Sequence, residues 1–252
     1  MLMELKDQVA DYWNRRSSGF SDAVMDEIRN GTNPSRDVIL EGLGIGPGSK
    51  VLDVGCGPGY YEMLLGDVGA EMHAIDYSED MVEKARANVL KSGFAADVRQ
   101  MDAQSLDYPD GCFDAVLSRN VLWNLPDPET AYREMLRVMK PGARGYVCDG
   151  NYYLHLHDEA YRRKRPRAAE PAEKAVGSHY RFNDDKVDFR EMDAIASSLP
   201  ASARRRPQWD CEILMSLPCS EIRTRLRRFV SVDDESLVGS FEIIFTKEDS
   251  QA

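Results

Sequence analysis

The sequence predicts an α/β fold built on a mostly parallel sheet. Three observations carry that prediction: short apolar runs alternate with amphipathic helical stretches from Val51 onward, a glycine-rich turn follows the first run at once, and an acidic residue closes the second run. The runs are VLDV (51–54), EMHAID (71–76), ADVRQMD (96–102), FDAVLSRN (113–120) and ARGYVCDGN (143–151). Between them, GYYEMLLGDVG (59–69) and SEDMVEKARANVLKSG (78–93) read as helices, the second capped by Ser78. A further helix from Pro128 to Lys140 is expected to stop at Pro141 and Gly142. Strand, helix and strand at this pitch imply right-handed crossovers.

Outside this core, Leu2, Leu5, Val9, Tyr12 and Trp13 keep a helical spacing over residues 2–13, and RDVILEGLG (36–44) forms a second amphipathic stretch. Residues 155–199 are charged and helix-like, with an Ala-Pro hinge at 168–172. The stretches 220–230 and 240–247 return to strand patterning and are expected to pair as a hairpin that closes the sheet or offers a homodimer edge. The predicted organisation is a helical lid (1–35), a ligand-binding core (36–154), a helical cap over the second substrate (155–218) and the closing hairpin (219–252).

Composition bounds the function. A chain of 252 residues with 42% hydrophobic and 30% charged side chains can bury a core and is not a disordered polymer. Its 32 basic against 43 acidic residues give −11, which argues against general binding to nucleic acid or anionic membrane. Most of the excess lies in residues 1–150, with 15 basic and 25 acidic side chains. The start, Met1-Leu2-Met3-Glu4, lacks the pattern of a secretory leader, so a cytoplasmic, membrane-free protein is expected. Five cysteines without a C-x-x-C pair predict reduced thiols and no metal. The basic runs at 161–167, 204–206 and 225–228 read as solvated faces, with steering of an anionic substrate as the alternative.

The sharpest feature is VLDVGCGPG (51–59): Asp53, then Gly55, Cys56, Gly57 and Gly59 in a turn leading to a helix. Glycines let the backbone approach a ligand closely, and such a turn at the carboxyl end of a strand is where open α/β sheets bind one. Asp76, at the end of the next run, suits a ribose diol. Tyr60 stands where a dinucleotide turn wants a third glycine, and Pro58 removes a donor, so the turn suits an amino-acid tail better than a pyrophosphate.

Residues 49–150 resemble the core of class I S-adenosylmethionine (AdoMet)-dependent methyltransferases. The resemblance implies a Rossmann-like sheet of seven mostly parallel strands with the last antiparallel, AdoMet as cofactor and S-adenosylhomocysteine (AdoHcy) as product. It places Asp53, Gly55, Cys56, Gly57 and Gly59 at the methionine moiety, Asp76 at the ribose, and Tyr77 and Met81 beside the adenine. Within MDAQSL (101–106), Asp102 meets the adenine amino group and Ala103 a ring nitrogen. SRNVLWNLPDP (118–128) resembles the family's fourth motif at the mouth of the transfer site and adds Arg119 to the cofactor set. DYWNRRS (11–17) resembles a lid in which Tyr12, Trp13 and Arg16 fold over the cofactor, or else an ordinary amphipathic helix. Many relatives hold a histidine where this chain has Asn124, so a base from that loop is not expected. Asn120, Tyr152 and His155 are the catalytic candidates, facing a small-molecule methyl acceptor. Aminocarboxypropyl transfer, cyclisation of AdoMet, and methylation of nucleic acid or protein stand as alternatives on the same core.

Overall fold

The computed structural model describes residues 2–30, 35–164, 182, 187–232 and 235–249. The hinge at 168–172 and the end of the basic run 161–167 lie outside the described residues. In chain order the elements are α1 (Leu2–Asn30), α2 (Ser35–Leu43), β1 (Lys50–Val54), α3 (Tyr60–Leu64), β2 (Glu71–Asp76), α4 (Glu79–Ser92), β3 (Ala96–Gln100) and β4 (Phe113–Arg119). They continue with α5 (Pro128–Val138), β5 (Met139–Gly150), α6 (Glu159–Lys164), α7 (Arg190–Ala196), α8 (Gln208–Met215), β6 (Cys219–Val232) and β7 (Glu235–Lys247).

The seven strands form one sheet in the order β3-β2-β1-β4-β5-β7-β6. Strands β1 to β5 are parallel, whereas β7 runs antiparallel to both β5 and β6. The strand order reverses at β1, which pairs Leu52 with His73 on one side and Val116 on the other. Ligands bind at such a switch point, outside the carboxyl ends of the strands. Because helices cover both faces, Val51, Leu52 and Val54 are all fully buried, and β1 reads as a continuous apolar run. One face packs against α5 and α8 through Tyr132, Met135 and Leu214; the other packs against α1, α2 and α3 through Val24, Ile39 and Tyr61.

Local chemistry sets the helix ends. Ser78 Oγ accepts from the Met81 N–H at 3.2 Å and Gly93 closes α4 with φ of 74°. Asp127 caps α5 through the Thr130 N–H at 3.0 Å, with Pro128 in the first turn.

The boundaries differ from expectation in three places. Helix α1 runs to Asn30, well past residue 13, because its buried stripe passes through Arg16, Ser17 and Ser21, which interrupt the apolar spacing. Helix α3 stops at Leu64, just before Gly66, whose missing side chain is filled by the Phe94 ring. Pro141 and Gly142 do not separate α5 from its strand; β5 already starts at Met139, and a register shift against Phe113 and Ala115 absorbs them.

The segment after β5 is locked to the sheet by a buried ionic cluster. Arg206 is 1% exposed, so the reading of 204–206 as a solvated face fails at that residue, although Arg204 and Arg205 are exposed. Its guanidinium donates to Asp149 at 2.9 Å and to both oxygens of Asp210 at 2.8 and 2.6 Å. Asp149 also accepts from the Trp123 N–H at 3.0 Å, and Asp210 from the Tyr132 hydroxyl at 2.8 Å. Removing one member strands the others as uncompensated buried charges. Arg206→Leu is therefore expected to lower stability by about 3–5 kcal/mol, read as a lower urea midpoint at unchanged slope.

Candidate active site

A cavity of about 980 Å³ opens at the carboxyl ends of β1, β2, β4 and β5. Every site residue expected from sequence except Gly59 lines it. Gly59 instead sits behind the wall as the left-handed N-cap of α3, with φ of 96°.

The floor is the turn after β1. At Gly55, φ is 76° and a Cβ would lie 2.2 Å from Val121 Cγ2, so only glycine fits. The N–H groups of Gly55 and Cys56 both donate to the Ile75 carbonyl, at 2.8 and 2.9 Å, which ties the turn to the end of β2. Asp76 then holds the turn from the other side. Its carboxylate accepts from the Gly57 N–H and from the Ser78 N–H, each at 2.9 Å. Desolvation raises Asp76 to about 6 against the pull of those donors.

The carboxylate of Asp53, 1% exposed, carries an oxygen with no hydrogen-bond partner among the described residues. Burial pushes its pKa well up, with Glu62 and Asp76 adding repulsion and Arg119 opposing it. Sequence reasoning missed Glu62, an acid inside the apolar string YYEMLL; it is equally buried and burial raises it to about 7. Burial also pushes the Cys56 thiol well up, which fits a small packed residue and not a nucleophile.

One face of α1 forms a wall, presenting Lys6, Tyr12, Trp13, Arg16, Phe20 and Glu27. Trp13 meets Tyr12, Phe20 and Trp123 edge to face at 5.4, 5.2 and 6.4 Å. Arg16 donates to the Phe182 carbonyl at 3.3 Å and lies 4.8 Å over the Phe189 ring. Polar ties fasten the helix across the cavity: Lys6 to Asp102 at 2.6 Å, Ser78 Oγ to Asn14 at 2.5 Å, and Arg119 to both oxygens of Glu27 at 2.7 and 2.9 Å. Lys6 also lies 4.8 Å over the Tyr77 ring, and Arg119 3.8 Å over Tyr60. Lys6 engages one oxygen of Asp102, and the other accepts from the Gln104 N–H at 2.9 Å and from Gln104 Nε2 at 3.2 Å, a set of partners that nothing in the sequence signals.

The opposite end is built from loops. Asn120 takes a left-handed conformation with φ of 58°, the one non-glycine residue to do so among those described. Its side-chain oxygen accepts from the Tyr152 hydroxyl at 2.6 Å and its carbonyl from Trp123 Nε1 at 2.9 Å. Trp123 stacks on Tyr153 at 4.9 Å. His155 Nδ1 lies 3.2 Å from the Tyr152 carbonyl, and Nε2 lies 4.0 Å from Asp193 of α7. In the amide orientation its neighbours require, Asn124 accepts from Trp13 Nε1 at 3.0 Å, so it joins loop to helix. His157 does not line the cavity, and no cluster of metal-ligating side chains occurs among the described residues. Nor is any helix among them long and apolar enough to cross a membrane.

These residues fit AdoMet. The unpartnered buried oxygen of Asp53 suits a ligand bearing sulfonium and ammonium charges, Arg16 suits its carboxylate, and the glycine turn admits close approach.

Comparison with known proteins agrees. Residues 52–147 match a family described as a methyltransferase domain. The ubiquinone biosynthesis O-methyltransferase of Pseudomonas aeruginosa is 36% identical over 105 residues, 41% of this chain and 45% of that protein. The chain thus spans less than half the length of the curated relatives it matches. Among solved structures, phosphoethanolamine N-methyltransferase 2 of Haemonchus contortus, in complex with AdoMet, superposes with a TM-score of 0.59 at 15% identity, over 87% of this chain and 53% of that one. The [4+2]-cyclase SpnF superposes with a TM-score of 0.54 at 22% identity, over 86% and 81%. Both likenesses show a shared fold.

Carboxylates raised by burial link stability to pH. Glu62 ionises near 4.5 when unfolded and at about 7 when folded, so the unfolded chain binds fewer protons between those values and stability falls as pH rises through them. Asp76 adds the same sign between 3.8 and about 6. Urea midpoints of the ligand-free protein are expected to decline from pH 5 to 8, and Glu62→Gln to recover roughly 3 kcal/mol at the alkaline end.

Proposed function

We propose that the protein, which carries a class I AdoMet-dependent methyltransferase-like domain, moves a methyl group from AdoMet to a small-molecule acceptor and yields AdoHcy. The observation that carries this reading is the cavity in which the glycine turn, Asp76, Asp102 and the Asn120–Tyr152–His155 group come together. Bound AdoMet supplies a methyl group already activated by the sulfonium charge. The chain therefore has to bind, orient and keep water out.

In this reading Asp76 receives the ribose hydroxyls, Tyr77 and Met81 flank the adenine, and Asp102 and Ala103 meet its edge. Asp53, Gly55, Cys56 and Gly57 cradle the methionine portion, with Gly59 closing the turn behind them, while Tyr12, Trp13, Arg16 and Arg119 close over it. Residues 1–35 act as lid, 36–154 as cofactor core, 155–218 as acceptor cap and 219–252 as closing hairpin. The net charge of −11 supports a small acceptor over nucleic acid.

At the acceptor end, a hydrogen bond from Nδ1–H of His155 to the Tyr152 carbonyl leaves Nε2 as the basic nitrogen. Asp193, 4.0 Å from Nε2, then stabilises the imidazolium formed when a hydroxyl or ammonium proton is taken. Asn120 and Tyr152 orient the acceptor beside it.

Mass spectrometry after incubation with AdoMet and a small-molecule metabolite extract is expected to give AdoHcy and a methylated metabolite; methylthioadenosine instead would move the chemistry to aminocarboxypropyl transfer. Asp76→Ala is expected to weaken AdoMet binding more than tenfold by calorimetry. His155→Ala is expected to cut turnover of an oxygen or nitrogen acceptor by about 10²- to 10⁴-fold with AdoMet affinity unchanged. Unaltered turnover removes His155 from the chemistry.

A further inference from the structure

Beneath the Gly55–Gly59 turn lies a carboxylate to which the proposed reaction gives no part. Glu62 is 1% exposed, and neither of its oxygens has a hydrogen-bond partner among the described residues. One of them stands 3.7 Å from the position of a Cβ on Gly59, so it lies next to the end of the turn. Asp53 of β1, which lines the cavity, feels repulsion from Glu62 and from Asp76 of β2 and attraction from Arg119 at the end of β4, and the Cys56 thiol of the turn feels repulsion from Glu62, Asp76 and Asp53. The Arg119 charge is already matched by Glu27 of α1, and α4 presents the apolar Ala85 to the turn. Neighbouring buried carboxylates without their own counter-ion do not all ionise near neutral pH.

We propose that Glu62 holds a proton while the cavity is empty and releases it when a cationic ligand enters, so that the protein tells the sulfonium cofactor from its neutral thioether product by charge. The inference rests on the AdoMet reading above. On binding, the Glu62 carboxyl becomes a carboxylate and its proton passes to solvent. Once the methyl group has left, the ligand has lost one positive charge, Glu62 recovers a proton from solvent, and the thioether is held less tightly. Burial, which raises Glu62 and also Asp53, acts in the direction this requires. Because the glutamate lies behind the turn, it discriminates through the field it adds to Asp53 and makes no contact with the methyl acceptor.

The test is isothermal titration calorimetry of the full chain at pH 7 with AdoMet and with AdoHcy, each in two buffers of different protonation enthalpy. AdoMet is expected to release about half a proton, the fraction a group titrating near 7 still carries, and AdoHcy clearly less. AdoMet affinity is expected to rise between pH 6 and 8 by up to about tenfold per unit. Glu62→Gln is expected to abolish the extra release and flatten that rise. Equal release with both ligands, no release, or release that persists in the variant overturns the proposal while leaving AdoMet binding intact. If the wild type binds neither ligand, the functional reading falls and this inference with it. If the variant does not fold, equal release with both ligands or no release from the wild type still overturns the proposal.

Discussion

Val121 fills the space in which any side chain on residue 55 would stand. That contact, across the gap between the carboxyl ends of β1 and β4, sets the geometry of both ends of the cavity. It requires glycine at 55, and it brings the backbone of the first turn against the loop that begins at Asn120. Asn120 in turn adopts a left-handed conformation, held by Cys148 through its N–H and by Trp123 through its carbonyl. The loop thus meets the glycine turn through Val121 and Tyr152 through Asn120, and the two ends of the cavity share one packed junction.

Buried charge is treated in opposite ways on the two sides of this junction. Asp149 and Asp210, behind Trp123, are satisfied by Arg206, Trp123 and Tyr132, a closed network whose worth lies in fixing where the segment after β5 meets the sheet. Under the cofactor turn, Asp53 and Glu62 carry oxygens without hydrogen-bond partners among the described residues. Leaving buried carboxyl oxygens unsatisfied is costly, and burial pushes both groups above the ordinary carboxylate range. The first arrangement is a closed network, and the second leaves buried acids without hydrogen-bond partners among the described residues.

Helix α1 connects both. Its buried stripe carries Tyr12, Arg16 and Val24, and residues of the same face supply ion pairs to Asp102 and Arg119, so closing the cavity and folding the helix against the core are one event. The three breaks in its apolar pattern have different partners: Arg16 lines the cavity, Ser21 accepts from Asn88 Nδ2 of α4 at 3.0 Å, and Ser17 is buried outside the cavity lining.

The sequence by itself determined the parallel core and the glycine turn with Asp76 beside it. Strands buried on both faces read as continuous apolar runs, the Ser78 cap lies next to the helix it starts, and Gly55, Gly57 and Asp76 act through backbone geometry set close to the strand ends that carry them. Only the tertiary structure decided the pairings that join distant segments. Lys6 with Asp102, Glu27 with Arg119, His155 with Asp193 and Arg206 with Asp149 are separated by dozens of residues and look in sequence like ordinary charged side chains. Glu62 gives no better signal, because one acid in an apolar helix turn reads the same whether it points to solvent or into the core. A long-range ion pair leaves no periodicity, and burial of a charge depends on what packs over it; both are properties of the assembled fold.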